Sequence, residues 1–434
     1  MTHLPHQSKI QDPKSKILIL APQWPDPPRQ GAAIRNLQIL LYLARRHKVT
    51  LLTFASDGPV EKSRLEEACE HVEILPPPIR STAHRLKTIA LSSLPDMAWR
   101  LHSDMMRECV RILTETTDFD AIHTEGIEMA PYALLAHEVL ARRSIKASIT
   151  YDAHNAEYLL QRRAFTTDLP HLRRLPKAIY SLTQWWRLRK FERDFCLASD
   201  HILAVSKADT RALGRLSPSI PALTVLLPNG VDPVYWSRDA SFSREEVPTS
   251  GSPTLVFDGT MDFRPNVDAV LWFAGEVWPR INAEQPGARF FIVGRNPSPQ
   301  VLSLSEIPGI TVTGTVNDPR PWVAAADVYV VPMRMGGGVR LKVLQAMSMG
   351  CAVVSTSMGA DGIDVHHNEH LLIANSASDF AQTTLSLIDD PAHRAALGIA
   401  ACTLVSTRYA WDALLSTLDQ LYGVSGPGES PPGE

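Results

Sequence analysis

The chain has 434 residues, 44% of them hydrophobic and 21% charged, with a formal net charge of −3. This balance predicts a globular protein of two or three domains and excludes a disordered chain, a fibre and a protein built to coat nucleic acid. Five scattered cysteines without a Cys-x-x-Cys pair, no apolar run of membrane length and a polar start without signal-peptide features predict free thiols and a cytoplasmic protein.

Residues 1–15 are polar and lack periodicity, and 423–434 are Gly, Pro, Ser and Glu apart from Val424; both read as disordered tails. Between them, short β-branched runs alternate with helical stretches. Strands are predicted at 16–21, 49–54, 72–75, 121–123, 147–151, 201–205 and 223–227, with helices at 32–46, 97–116 and 129–142. The stretch 237–253 is polar and poor in strand signals, and reads as a linker. A second series follows, with strands at 254–257, 290–293, 310–312, 328–331 and 352–355 and helices at 267–281 and 339–349. A last helix is predicted at 411–422, able to pack back on the first domain. Continuous apolar strands separated by helices indicate parallel sheets covered on both faces. The fold class is α/β, with domains 16–236 and 254–410. Ligands of such sheets bind at the carboxyl ends of the strands, so the loops after strands carry the functional information.

The most informative loop is Pro332-Met-Arg-Met-Gly-Gly-Gly-Val-Arg-Leu-Lys342, which follows a strand and opens a helix. Gly336, Gly337 and Gly338 let the backbone approach a ligand closely. A helix N-terminus attracts phosphate. Arg340 and Lys342 stand in the first turn, where the helix dipole disfavours each cation by ~0.3–1 kcal/mol. With Arg334 upstream, three cations there make sense if an anion binds. The competing reading is a flexible turn with solvated cations. Gln345, one turn further on, could bind ribose hydroxyls or lie on the helix surface.

A second loop, Tyr151-Asp-Ala-His-Asn-Ala-Glu157, places His154 after a strand. It could donate to a phosphate, act as acid or base with Asp152 orienting it, or simply cap a helix. Gly31 precedes the helix after the first strand. Asn229-Gly230 marks a turn, and Asp258-Gly-Thr-Met-Asp262 follows the first strand of the second series; Asp152, Asn229 and Asp262 are therefore predicted to line the cleft. Glu125 and Glu128 follow the 121–123 strand and could enter the cleft too. Asp118-Phe-Asp120 has a metal-binding spacing but precedes its strand, on the edge away from the cleft, and no metal site is predicted. Residues 171–195 are rich in Lys and Arg and include Trp185 and Trp186, a composition able to touch an anionic membrane.

Taken together in this order, the segments Gly31-Ala-Ala-Ile-Arg-Asn36, Tyr151 to Glu157, Ala204-Val-Ser206, Pro228-Asn-Gly-Val-Asp232, Asp258 to Asn266 and 332–350 resemble glycosyltransferase family 4 (glycosyl transferases group 1). The resemblance covers roughly 16–422. It implies the GT-B fold: two Rossmann-like domains with parallel sheets facing a cleft, and a nucleotide-sugar held mainly by the second. It also implies retaining transfer without a metal or cofactor, onto a saccharide or lipid-linked acceptor, in surface polysaccharide or glycolipid synthesis. Residue by residue, it assigns His154 to the donor sugar or pyrophosphate, and Gly31 to the loop facing the reaction centre. Gly259 and Gly336–Gly338 stand near the diphosphate, with Arg340 and Lys342 as its charge partners. The family usually carries two glutamates eight positions apart; the matching positions here are Gly337 and Gln345, and a branch with a Gly-Gly-Gly loop lacks the first. Two alternatives stay open: a degenerate relative that binds nucleotide or a partner without transfer, and a sugar-nucleotide epimerase on the same fold.

Overall fold

The computed structural model describes residues 15–28, 31–55, 64–169, 175–243, 247, 251–335 and 340–423. The tails expected at 1–15 and 423–434 thus lie outside the described residues apart from Ser15 and Gly423. The chain divides into two units, Met1–Leu227 with Leu415–Glu434, and Pro228–Leu414.

Unit 1 holds seven parallel strands: β1 (Lys16–Ala21), β2 (Lys48–Phe54), β3 (His71–Leu75), β4 (Ala121–Glu125), β5 (Ser148–Ala153), β6 (His201–Ala204) and β7 (Thr224–Leu226). Their order is β3-β2-β1-β4-β5-β6-β7. The central strands are the apolar ones: Ile17 to Ala21 and Val49 to Phe54 are buried, as expected where helices cover both faces. Order reverses between β1 and β4, and that switch point is where a parallel sheet opens a crevice at its carboxyl ends.

Unit 2 holds six parallel strands: β8 (Thr254–Asp258), β9 (Arg289–Val293), β10 (Ile310–Gly314), β11 (Val328–Val331), β12 (Val353–Ser355) and β13 (Leu372–Ile373). Their order is β10-β9-β8-β11-β12-β13, so its switch point falls between β8 and β11. Gly259 follows β8 and Pro332 follows β11, so the loops after these two neighbouring strands leave the sheet at its switch point.

Several elements differ from the sequence reading for local reasons. The helix expected at 97–116 is two, Asp96–Arg100 and Asp104–Thr116, because Ser103 caps the second by accepting the Met106 N–H. The helix at 267–281 passes from Arg264–Trp272 through a wider turn at Phe273–Val277 to Trp278–Glu284, where Pro279 supplies no N–H. The last helix breaks at Ser416 into Trp411–Leu415 and Thr417–Leu421. The two-residue β13 is too short to carry a periodic signal.

The division at Leu227 moves the boundary upstream of the expected 237–253 linker. Val231 pairs with Ala410, its N–H donates to the Tyr409 carbonyl at 2.8 Å, and Trp236 is buried in the core of unit 2. Residues 228–236 therefore belong to that unit and not to the first domain. Gly230 is required there: a Cβ would stand 2.8 Å from both Trp411 and the Tyr409 carbonyl.

The tightest backbone approach in unit 2 joins the ends of β8 and β9. Gly294 has φ +145°, and a Cβ on it would lie 1.7 Å from the Gly259 carbonyl oxygen. Gly294→Ala is expected to destabilise the protein by about 3 kcal/mol or more, combining overpacking with a strained backbone. Denaturant unfolding checks this; a loss below about 1 kcal/mol contradicts it.

Candidate active site

In unit 1 the site grows from strand register. His123 and Glu125 are two residues apart on β4, so they share a face, and Glu125 is in register with Asp152 on β5. Two carboxylates therefore stand abreast on a fully buried surface. Such a pair persists only if cations and donors answer it. The helix Gly31–Ala44, which follows β1, supplies them. Buried Arg35 grips Asp152 with two bonds of 2.7 Å, Nε to Oδ2 and Nη2 to Oδ1, and its Nη1 donates to the Leu227 carbonyl at 2.8 Å. The Asn36 carboxamide, with its NH2 toward β4, donates to Glu125 Oε2 at 2.9 Å and to the Ala32 carbonyl at 2.7 Å.

Glu125 lies between two imidazoles. Its Oε1 is 3.1 Å from His123 Nε2 and its Oε2 is 3.1 Å from His154 Nε2. Burial alone would raise its pKa, but the hydrogen bonds and charge of the two histidines win and hold the carboxyl far below the usual range. Burial likewise works against a charged His154, yet the Glu125 hydrogen bond and the Asp152 and Glu125 charges raise its pKa against Arg35. The expected orienter of His154, Asp152, is 3.8 Å away and spends its oxygens on Arg35; Glu125 does the orienting. His123, Glu125 and Asp152 bring potential metal-ligand atoms within 4.8 Å of one another, but Arg35 already occupies Asp152.

Behind His154, Glu192 accepts the N–H groups of Glu157 and Tyr158 at 3.0 and 2.9 Å, capping the helix Glu157–Asp168. Burial pushes Glu192 up to about 8, and burial with the nearby Glu128 pushes Glu157 up to about 7. Both carboxyls hold protons in the folded chain that they release when unfolded, and His154 acts in the same direction above its ordinary 6.5. Stability is therefore expected to fall as pH rises from about 5 to 8. Thermal unfolding across that range checks it, and Glu192→Gln should flatten the slope. An unchanged slope in the variant contradicts the assignment.

Unit 2 carries a cationic cluster of its own. The helix after the glycine loop is Leu341–Ser348, with Arg340 at its N-cap position and Lys342 in the first turn. Gly336, Gly337 and Gly338 lie outside the described residues. The Lys342 ammonium is drawn across to β8, where it donates to the Asp258 carbonyl and, at 3.1 Å, to Asn266 Oδ1, and sits 3.8 Å from the centre of the Phe257 ring. These acceptors are neutral; burial, with Arg340 acting the same way, lowers its pKa to about 8 against the charge of Asp258. A Cβ at Gly259 would stand 2.8 Å from Lys342 Nζ and 2.7 Å from Asn266 Nδ2, so glycine is needed at this switch point. Burial also lowers the Arg340 guanidinium, with Asp361 as its countercharge.

The other candidates separate. Arg334, expected to serve an anion, is instead bidentate to Asp268 at 2.7 and 3.0 Å, so its charge is met within the unit. Gln345 is half-buried on the same helix as Lys342. Asp262 is exposed and accepts from Asn296 Nδ2 at 3.2 Å, and Asn229 is half-buried in the segment before Val231. Asp118 pairs with Arg143 at 2.6 Å and Asp120 accepts the Lys16 N–H at 2.8 Å, so both acids serve the turn before β4. Gly31 opens the helix that carries Arg35 and Asn36. These two, with His123, are the residues that sequence reasoning left without a role; Glu125 was expected only as a residue that could enter the cleft.

Two family models match the chain: Glycosyltransferase Family 4 over residues 29–235 and Glycosyl transferases group 1 over 252–390. The chain belongs to glycosyltransferase family 4. A relative from Klebsiella pneumoniae, described as an uncharacterized 44.6 kDa protein in the cps region, is 23% identical over 85% of this chain and 89% of its own. A Corynebacterium glutamicum GDP-mannose-dependent monoacylated alpha-(1-6)-phosphatidylinositol monomannoside mannosyltransferase is 24% identical over 43% of this chain and 53% of its own. Among solved structures, Anabaena HepE in complex with UDP aligns with a TM-score of 0.65 at 15% identity, over 94% of this chain and 99% of that one. WaaG, a glycosyltransferase of lipopolysaccharide biosynthesis, aligns at 0.64 and 14%, over 94% and 100%. The fold of this family 4 glycosyltransferase is thus GT-B, with the parallel sheets of both units as expected. Among the described residues, no helix is long and apolar enough to cross a membrane.

Proposed function

We propose that this glycosyltransferase moves a sugar from a nucleoside-diphosphate donor to a saccharide or lipid-linked acceptor, with retention and without a metal or cofactor, in surface polysaccharide or glycolipid synthesis. The observation that carries the reading is Lys342: an enclosed ammonium held by neutral acceptors at the switch point of a parallel sheet, beside a glycine that must stay small. Breaking the bond from sugar to diphosphate develops negative charge on the departing β-phosphate. Lys342, Arg340 and the backbone of Gly259 and the glycine loop are assigned to that charge, which fixed donors stabilise selectively in the transition state. His154, held by Glu125, is assigned to the donor sugar or pyrophosphate, and Gln345 to ribose. Retention follows if the leaving phosphate takes the acceptor's proton on the same face.

The relatives support the class of acceptor. One is a protein of a cps region and another is a monoacylated phosphatidylinositol monomannoside mannosyltransferase. The helix Leu175–Ala198 exposes Ile179 and Trp186 beside Lys177, Arg189 and Lys190, which supports membrane contact through 171–195; 171–174 lie outside the described residues. Sedimentation with anionic vesicles is expected to carry the protein down, and a Trp186→Ser variant to lose most of that binding.

The decisive experiment offers a panel of sugar nucleotides with a lipid-linked sugar extract and detects products by mass. One donor is expected to be consumed only when acceptor is present, giving a product with the donor's anomeric configuration. Donor conversion without acceptor would instead make the protein an epimerase. Gln345, where the family usually has a glutamate, favours a second reading in which nucleotide binds without transfer; tight binding with no product on any donor would select it.

A further inference from the structure

The chain re-enters unit 1 at Leu415, and its helix Thr417–Leu421 delivers Tyr422 into the core of that unit. Tyr422 is buried, and its carbonyl accepts from Ser15 Oγ at 3.1 Å. Its hydroxyl lies 2.7 Å from His123 Nδ1. His123 Nε2 then meets Glu125 Oε1, and Glu125 Oε2 meets His154 Nε2, each at 3.1 Å. A hydroxyl from the far end of the sequence is thus joined by three hydrogen bonds, through His123 and Glu125, to the histidine at the end of β5.

We propose that Tyr422 is a positioning residue for His154, acting through His123 and Glu125. An ionised Glu125 only accepts hydrogen bonds, so both histidines must present Nε2–H to it. The Tyr422 hydroxyl donates to His123 Nδ1, which fixes the His123 tautomer and turns its Nε2–H onto Glu125. The Asn36 NH2 also lies 3.2 Å from His154 Nε2, but the ionised Glu125 is the stronger partner of that nitrogen: Glu125 takes the Nε2–H of His154, and Nδ1 is the ring nitrogen left for a substrate. Which nitrogen of an imidazole carries the proton is set by the hydrogen bond the other one makes, and here that control reaches back to the C-terminal segment. Other charged groups face His154 as well: Asp152 on β5, Arg35 on the Gly31–Ala44 helix and Glu157 at the start of the next helix. None of them touches Tyr422 or His123 in the chain of bonds described.

The consequence for turnover rests on the proposed transferase reading, while the tautomer does not. The test is therefore a histidine ring 1H–15N spectrum of the full chain without substrate, followed by kcat and KM on the donor found active. At a pH above the raised pKa of His154, His154 and His123 of the native protein are expected as Nε2–H tautomers. Tyr422→Phe should give mixed tautomers at both rings and, from one lost hydrogen bond, a kcat lower by roughly threefold to tenfold with KM little changed. His123→Asn keeps a partner for Tyr422 but removes the Nε2–H that Glu125 accepts, so it carries the same expectation for the His154 ring and for kcat should Tyr422→Phe fail to fold. The double variant should be no worse than the more impaired single one, the signature of groups acting in series. A native-like His154 tautomer in either folded variant overturns the proposal. Tautomer mixing in a protein that turns over no donor would uphold the positioning chain and count against the transferase reading instead.

Discussion

Lys342→Met is expected to lower kcat/KM for the donor by roughly 10²- to 10³-fold while the protein stays folded, the usual effect of removing one preorganised group from a developing oxyanion. The two parts of this expectation have different causes. The loss of activity follows from how the ammonium is bonded: its acceptors are the Asp258 carbonyl and Asn266 Oδ1, both neutral, and the charges near it are of both signs, Asp258 and Arg340, so its own charge is available to a diphosphate. The retention of fold follows from burial. An enclosed ammonium with its pKa drawn down to about 8 carries a desolvation cost that methionine does not. That gain offsets the two acceptors left unpaired, each worth about 1–3 kcal/mol. Steady-state kinetics and a melting curve measured on the same preparation decide the matter. A variant that melts several degrees lower while binding donor normally would make Lys342 a structural residue.

Arg35→Met is expected to destabilise the protein by about 3–5 kcal/mol, the range seen when one partner of a buried ion pair is removed. Arg35 and Asp152 are both buried, and Asp152 stands in register with a second carboxylate, Glu125. Without the guanidinium, two adjacent carboxylates share a buried face with only the histidines and the Asn36 amide to answer them. Adding Asp152→Asn to Arg35→Met removes the uncompensated charge and should recover a large part of the loss. Urea unfolding of the two single variants and the double checks both steps. A single-variant loss below about 1 kcal/mol, or a double variant worse than both singles, contradicts the role given to the pair.

Much of the fold was legible because its signals are local. The apolar runs of β1, β2 and β11 have no other reading than strands covered on both faces, and the glycine loop after β11 is bounded by a strand and a helix that both show their period. The pairing of Lys342 with β8 was not legible. It joins residues 84 apart along the chain and depends on the strand order placing β8 beside β11. The pairing of Arg334 was not legible for the same reason, since Asp268 lies 66 residues away and nothing local marks it as a partner. In unit 1, His123-Thr-Glu125 did carry a signal that went unused: polar residues two apart on a strand otherwise apolar imply a buried polar face that must find donors elsewhere. Arg35 and Asn36 stood in a segment resembling the family, yet their role appears only once the first helix is laid against β4 and β5. Tyr422 gave no signal, because its partner lies 299 residues away.

Lys342 provides the most direct test of the central claim, that unit 2 binds the donor's diphosphate. With a pKa of about 8, its ammonium is half-protonated at pH 8, and a diphosphate beside it should complete the protonation. Calorimetry of nucleoside-diphosphate binding at pH 8, repeated in buffers of different ionisation enthalpy, counts the protons taken up. The prediction is an uptake of about half a proton that Lys342→Met abolishes. Binding without proton uptake, or the same uptake in the variant, would contradict it.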